Sequence, residues 1–310
     1  MTAIPGRPPK ATKIGKPKIM LSGLAGVGKT WLAMDFPNVF FIDTEGGGEL
    51  SHYQEKLERA GGRYFGREDG SQDFGNVINT VQWLAANPHE YKTLAIDSFT
   101  KLYLSEAAKA EDKVGNDFGK DRKEANRPTR KLMARLENLD MNVILVCHAK
   151  DKWKGGEMVG TSFDGFDKME YDLHLWLEAI KRGKDRFAQV RKSRLVGFPE
   201  NELFPLSYAE FAKRYGVDIL EAAHVPVPIA SLEQISELSR LIAAMNVPPE
   251  QVEKWLDKAG CESLKEFPAD AAAKCIDYLV AQVKPPAARV TKADNGEPVK
   301  PSKKSVAPVA

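Results

Sequence analysis

The residues best suited to chemistry lie in one stretch, 23–30, which has the types and spacing of a phosphate-binding loop. The stretch fits the pattern G-x-x-x-x-G-K-[ST], with an apolar segment before it and a helix-competent segment after it. Its glycines let the backbone wrap around phosphate oxygens, Lys29 neutralises the β- and γ-phosphates of a nucleotide, and Thr30 binds magnesium. The alternative is a glycine-rich turn that only caps a helix. The predicted loop consists of Gly23, Leu24, Ala25, Gly26, Val27, Gly28, Lys29 and Thr30.

Three further polar side chains follow apolar segments and suit the same chemistry. Asp97 closes the segment TLAID, where an acid can join the magnesium shell beside a phosphate loop. Glu45 follows VFFID by two residues, where a carboxylate can orient and deprotonate a water for attack on a γ-phosphate. His148 follows NVILVC and could contact the γ-phosphate. The alternatives are plain turn acids for the two carboxylates and a histidine satisfied at a strand end.

The elements that must position these groups are visible in the hydrophobic pattern. Four short apolar segments predict buried strands, and helical patterns separate them. Apolar strands that alternate with helices indicate an α/β fold, in which a mainly parallel central sheet is flanked by helices. The predicted strands are 18–22, 39–43, 93–97 and 142–147, and the predicted helices are 30–35, 76–86, 99–110 and 122–139.

The later part of the chain has a different pattern. Segments 173–179 and 187–194 are strand-like and close together, which predicts an antiparallel extension that ends near residue 215. We expect the core to occupy 18–216, followed by a Pro-containing linker at 217–230. A capping box at Ser231 and Gln234 then opens a small helical module over 231–283.

The order of these motifs resembles the RecA-like P-loop ATPase core. GLAGVGKT, FIDTE, TLAIDS and ILVCHAK follow one another, and the likeness is greatest to phage-encoded RecA-like ATPases of recombination and single-strand annealing. It covers about 18–215. The resemblance implies that Glu45 is the catalytic glutamate, that Asp97 is the Walker B acid, and that His148 occupies the polar sensor position, which is commonly glutamine.

The resemblance also implies surfaces for DNA and for a neighbouring subunit. The segment after the sensor binds DNA in such proteins, and here it contains Lys150, Lys152, Trp153 and Lys154. Lysines around a tryptophan can neutralise phosphates and stack a base, although a mobile solvated loop is the alternative. Lys192 and Arg194 resemble the basic pair that RecA-like subunits offer to a neighbour's ATP; the alternative is an edge strand whose charges resist aggregation.

Charge and composition limit the classes of protein. The net charge is +2 in 310 residues, and the two ends, 1–17 and 284–310, each carry an excess of four basic residues. We expect both ends to be disordered and basic, so any nucleic-acid surface on the folded part is a local patch. Three widely spaced cysteines without paired ligands predict neither disulfides nor a zinc site. With no secretory signal and no apolar run of roughly 20 residues, we expect a cytoplasmic protein, in the bacterial host if phage-encoded.

These observations predict an ATP- and Mg²⁺-dependent RecA-like ATPase that acts on single-stranded DNA in phage-type recombination or replication. We expect slow, DNA-stimulated hydrolysis, a homo-oligomer, and docking of other phage proteins through 231–283. The alternatives are a hexameric helicase motor and a slowly hydrolysing, ATP-gated loader for another DNA protein. A small-molecule kinase is disfavoured because the sequence has no recognisable lid motif, and a GTPase because it has no N-K-x-D sequence.

Overall fold

The computed structural model describes residues 15–115 and 119–283, and these residues form one nine-stranded sheet with helices on both faces. The strands are β1 Lys18–Gly23, β2 Val39–Asp43, β3 Arg63–Phe65, β4 Thr93–Asp97, β5 Asn142–Lys154, β6 Glu157–Asp164, β7 Leu175–Arg182, β8 Asp185–Ser193 and β9 Leu203–Pro205. The helices are α1 Lys29–Asp35, α2 Ser51–Arg59, α3 Phe74–Ala86, α4 Phe99–Val114, α5 Lys120–Asn138, α6 Met169–Asp172, α7 Tyr208–Tyr215, α8 Val217–Leu220, α9 Leu232–Ala244, α10 Pro249–Ala259 and α11 Ala269–Val283.

The sheet confirms the predicted α/β class with a mainly parallel centre. Its strand order is β3-β2-β4-β5-β1-β7-β8-β9, with β6 paired to β5. The pairs among β3, β2, β4, β5, β1 and β7 are all parallel, whereas β6, β8 and β9 join in antiparallel pairs. The register places Gly23 beside His148 and Asp43 beside Asp97. Groups that the sequence spreads over more than 120 residues therefore share one edge of the sheet.

Two hydrophobic cores cover the two faces of the sheet. Met20 of β1 packs on one face with α3, α4 and α5, whereas Ile19 and Leu21 pack on the other with α1 and α7. All residues of β1, β2 and β4 are buried. Burial on both faces explains why these strands are continuous apolar segments rather than alternating ones.

The segment after His148 differs from the predicted loop. Its backbone is strand as far as Lys154, pairs antiparallel with β6, and turns through Gly155 and Gly156, both of which have positive φ. Lys150 lies opposite Ser162 and Lys152 lies opposite Gly160. The prediction of a loop was wrong because β6 supplies a partner for the backbone groups of a strand that extends beyond the parallel sheet.

The described fold begins before residue 18. Lys16, predicted to lie in a disordered end, is 6% exposed, and its Nζ donates to the carbonyls of Leu220 and Ala222. The linker predicted at 217–230 contains α8, and Val227 N donates to Ala85 O at 2.8 Å. This segment therefore packs on the core. Of the two ends predicted to be disordered, 1–17 and 284–310, residues 1–14 and 284–310 lie outside the described residues.

The three helices α9, α10 and α11 form a small module with its own core, and the Ser231/Gln234 capping box is present. Arg135 of α5 contacts both this module and the core. Arg135 is 4% exposed and donates to Ile78 O at 3.0 Å, to Glu266 Oε2 at 2.7 Å and to Gly260 O. Across the described part of the chain, no helix combines the length and the apolar character that crossing a bilayer requires.

Candidate functional site

The phosphate loop connects β1 to α1 at the carboxyl edge of the sheet. Gly28 precedes α1 with φ +98°, a left-handed conformation that favours glycine. A Cβ on Gly28 would lie 3.0 Å from Cδ of Arg186, so a side chain here would also meet a neighbour. The motif therefore adopts the strand, turn and helix context that its chemistry requires.

Lys29 lies inside this loop. Its Nζ donates to Gly23 O at 2.8 Å and to Leu24 O at 2.7 Å. Burial lowers the pKa of Lys29, while the carboxylates of Asp97 and Glu45 oppose that shift. The Lys29 ammonium is thus placed where it can exchange these two carbonyl partners for the phosphate oxygens of a bound nucleotide.

Thr30 and Asp97 form the pair expected to hold magnesium. Thr30 Oγ1 donates to Asp97 Oδ2 at 2.6 Å, and Asp97 is 8% exposed at the end of β4. Burial raises the pKa of Asp97 to about 6, although the hydrogen bond from Thr30 acts in the opposite direction. Two hard oxygen donors beside a phosphate loop fit Mg²⁺, which takes one or two protein ligands and completes its shell with phosphate oxygens and water.

Glu45 and His148 meet at the same edge. His148 Nε2 lies 2.6 Å from Glu45 Oε1, and Ser98 Oγ donates to the same carboxylate oxygen. Partial burial raises the pKa of Glu45, but the hydrogen bond from Ser98 and the charge and hydrogen bond of His148 lower it more, so the net pKa is below its ordinary value. The carboxylate is therefore ionised at neutral pH, as a base must be.

One cavity of about 450 Å³ brings the predicted catalytic groups together. Its walls are Gly23, Leu24, Ala25, Gly26, Lys29, Thr30, Glu45, Asp97, His148 and Ala149. The walls thus carry a cation and two carboxylates around the space that a terminal phosphate and its attacking water would need.

A second cavity of about 390 Å³ shares the phosphate loop and contains residues that the sequence interpretation missed. Trp31, Tyr53, Arg186 and Leu206 line it together with loop residues. These four come from α1, α2, β8 and the segment after β9, so no local motif contains them. Trp31 was the one available signal, because it directly follows the phosphate-loop motif.

The predicted DNA-binding residues lie on the β5–β6 hairpin. Lys150 is 45% exposed, with Nζ 3.7 Å from Asp164 Oδ1 and 3.9 Å from Asp167 Oδ1. Lys152 is exposed. The side chains of Trp153 and Lys154 lie outside the described part of the structure. The hairpin continues the strand that carries His148, so it is joined directly to the cavity.

The structure does not bring Lys192 and Arg194 into the phosphate site of the same chain. Lys192 pairs with Trp176 of β7, whereas the loop residue Gly23 pairs with Ala179, nearer the other end of that strand. The Lys192 ammonium donates to Leu173 O, and the Arg194 guanidinium donates to Tyr171 O. Neither residue lines the two cavities beside the phosphate loop of its own chain.

A family model described as an AAA domain matches residues 15–182. The chain belongs to this family. The AAA-type P-loop ATPase domain thus contains every residue that lines the cavity of about 450 Å³, the candidate catalytic cavity. No curated protein matches the chain significantly.

Solved structures with similarity to the chain have low TM-scores. The RadB recombinase is 20% identical, with 60% of this chain and 84% of that chain covered and a TM-score of 0.41. A prototypical ATPase from the type III secretion system of pathogenic bacteria is 12% identical, with 85% and 80% covered and a TM-score of 0.36. The assembled ATPase EscN from the enteropathogenic E. coli type III secretion system is 14% identical, with 86% and 67% covered and a TM-score of 0.36.

Proposed function

We propose that this ATPase domain hydrolyses ATP with Mg²⁺ and couples hydrolysis to single-stranded DNA in recombination or replication of the phage type. The observation that carries the proposal is the single cavity in which Lys29, Thr30, Asp97, Glu45 and His148 meet. Phosphoryl transfer to water needs charge neutralisation, a metal site and a water-positioning base, and the cavity offers a candidate for each.

Each residue of the cavity has a separate role in the proposed hydrolysis. Lys29 leaves its carbonyl partners for the β- and γ-phosphates, and Thr30 and Asp97 hold Mg²⁺. The metal, when bound, neutralises charge on the phosphate oxygens. Glu45 orients the attacking water and accepts its proton, while Ser98 and His148 fix the carboxylate. The nucleoside extends into the second cavity, where Trp31 and Tyr53 supply aromatic surface.

The β5–β6 hairpin is the proposed DNA contact. Lys150 and Lys152 are exposed on it, and the strand β5 joins it to His148. DNA that binds the hairpin would therefore contact the same strand that carries His148, the partner of Glu45. A hexameric helicase would in addition unwind a forked duplex, and a loader would bind DNA with turnover near zero.

We expect the hairpin variants to weaken DNA binding in two different ways. Trp153→Ala should cost roughly 1–3 kcal/mol of single-strand affinity if the ring stacks on a base. The double substitution Lys152→Gln with Lys154→Gln should make the negative slope of log K against log salt shallower by about 1.4, because each phosphate contact contributes about 0.7 on a single strand. Fluorescence anisotropy with a labelled oligonucleotide at several salt concentrations measures both effects.

The matched control removes two exposed lysines of α10, Lys254 and Lys258, by substitution with Gln. This pair should leave the affinity and the salt slope at the parental values. Parental binding by both hairpin variants at every salt concentration would instead place the DNA contact elsewhere on the chain.

We also propose that a second subunit completes the ATP site with Lys192 and Arg194. Specific activity should then rise with protein concentration, because cations from a neighbour stabilise charge on the transferring phosphoryl group. Arg194→Ala should bind nucleotide but lose turnover, and mixing it with Lys29→Ala should restore part of the rate. Activity that is independent of concentration, without rescue on mixing, would favour the alternative in which Lys192 and Arg194 are edge-strand charges that resist aggregation.

A further inference from the structure

The carboxylate of Asp43 is buried at the end of β2 and has a full set of hydrogen-bond donors. Asp43 is 2% exposed. Its Oδ1 accepts from Glu45 N at 2.9 Å and Gly46 N at 2.7 Å, and its Oδ2 accepts from Gly48 N at 2.7 Å and the Tyr64 hydroxyl at 2.8 Å. Burial, followed by the hydrogen bond to Asp43, raises the pKa of Tyr64, so its hydroxyl remains a donor. A buried carboxylate is tolerated when donors satisfy it in this way.

The glycine-rich segment after Asp43 makes this arrangement possible. A Cβ on Gly48 would lie 2.9 Å from Asp43 Oδ2 and 3.1 Å from Cε2 of Tyr64. Glycine at 48 therefore lets the backbone N–H approach the carboxylate closely. The sequence shows this segment only as a glycine-rich connection, but its shape is that of a turn wrapped around one side chain.

A second set of contacts holds the same turn from the outside. The Arg67 guanidinium donates to Glu45 O, Ser71 Oγ donates to Asp43 O, and Gln72 Nε2 donates to Thr44 O at 3.1 Å. The backbone N–H of Glu45 is thus held by Asp43 and its carbonyl is held by Arg67. With the backbone fixed at both groups, the Glu45 side chain is directed toward its partners at the catalytic cavity.

We propose that Asp43 is a positioning residue for hydrolysis, which holds the Glu45 carboxylate where it can act on the attacking water. The proposal rests on the proposed function, because it requires Glu45 to be the base. Asp43 itself does not line the catalytic cavity, and its contact with the backbone of Glu45 is the route by which it acts. Displacing a catalytic group by about 1 Å can slow a reaction on the order of 10²-fold.

Asp43→Asn tests this role with little change in size. An asparagine can accept at one oxygen, but its NH₂ group would face donors on the other side, so the turn must open. We expect kcat to fall about 10²-fold while the Kd for ATP stays within about twofold of the parental value, because the phosphate loop is untouched. Glu68→Gln, which removes an exposed acid from the neighbouring turn, is the control and should retain the parental kcat.

A double-mutant cycle with Glu45→Gln separates positioning from a general structural effect. If Asp43 acts through Glu45, then Asp43→Asn should not slow the Glu45→Gln variant further. Tyr64→Phe removes one of the four donors and should lower kcat in the same direction by a smaller factor. If Asp43→Asn does not fold, the kcat of Tyr64→Phe tests whether the donors around Asp43 position Glu45.

The outcomes of the cycle are distinct. A parental kcat in Asp43→Asn, additive losses in the double variant, or clearly weaker ATP binding by Asp43→Asn would each overturn the positioning role. A slow Glu45→Gln beside an unaffected Asp43→Asn would reject this inference alone. A parental rate in Glu45→Gln would reject the proposed base, and the positioning role with it.

Discussion

Lys29→Ala is expected to weaken ATP binding on the order of 10²-fold or more. The ammonium lies inside the phosphate loop, where its partners are the carbonyls of Gly23 and Leu24, and a bound nucleotide would replace them with charged oxygens. Charged hydrogen bonds of this kind contribute about 1.5–3 kcal/mol each, and about 1.4 kcal/mol is a tenfold change in affinity. Calorimetry or a fluorescent ATP analogue measures the loss directly.

Lys123→Ala is the control, because this lysine is exposed on α5, outside both cavities beside the phosphate loop. It should bind ATP as the parent does. Parental ATP affinity in Lys29→Ala would mean that residues 23–28 form only a turn that caps α1, which is the alternative that the sequence itself allows.

Glu45→Gln is expected to bind ATP normally and to lose about 10²- to 10⁴-fold in the rate of the chemical step. The amide keeps the size of the side chain and can accept a hydrogen bond from Ser98, but it cannot accept a proton from water. Single-turnover hydrolysis with saturating enzyme isolates this step from binding and product release. Nucleotide affinity, measured separately, should be unchanged.

Glu49→Gln provides a matched control in the same turn, since Glu49 is exposed and does not line the catalytic cavity. Its hydrolysis rate should equal that of the parent. Equal losses of binding and hydrolysis in Glu45→Gln would contradict the base, since water activation is needed only for the chemical step.

The sequence predicts the centre of the fold well because the signals there are local. A motif that is contiguous in the chain specifies the phosphate loop, and strands buried on both faces are continuous apolar segments. The parallel register then brings His148 beside Gly23 and Asp97 beside Asp43. Which strands pair, and in which register, depends on segments that are far apart in the chain. The proximity of these side chains is therefore seen only in the structure.

The parts that sequence interpretation missed depend on contacts between distant segments. Arg186 and Tyr53 reach the phosphate loop from β8 and α2, and neither stands in a recognisable motif. The strand that replaces the predicted loop depends on its pairing with β6. Asp43 resembles an ordinary strand-end acid until the turn that surrounds its carboxylate is seen.

DNA-coupled hydrolysis by Glu45 can be measured as steady-state ATP turnover with Mg²⁺, with and without single-stranded DNA, for the parent and Glu45→Gln. We expect a slow parental rate that single-stranded DNA increases, and a Glu45→Gln variant that binds ATP but hydrolyses almost none under either condition. A parent that hydrolyses no ATP in the presence of DNA, or a Glu45→Gln variant with the parental rate, would contradict DNA-coupled hydrolysis by Glu45.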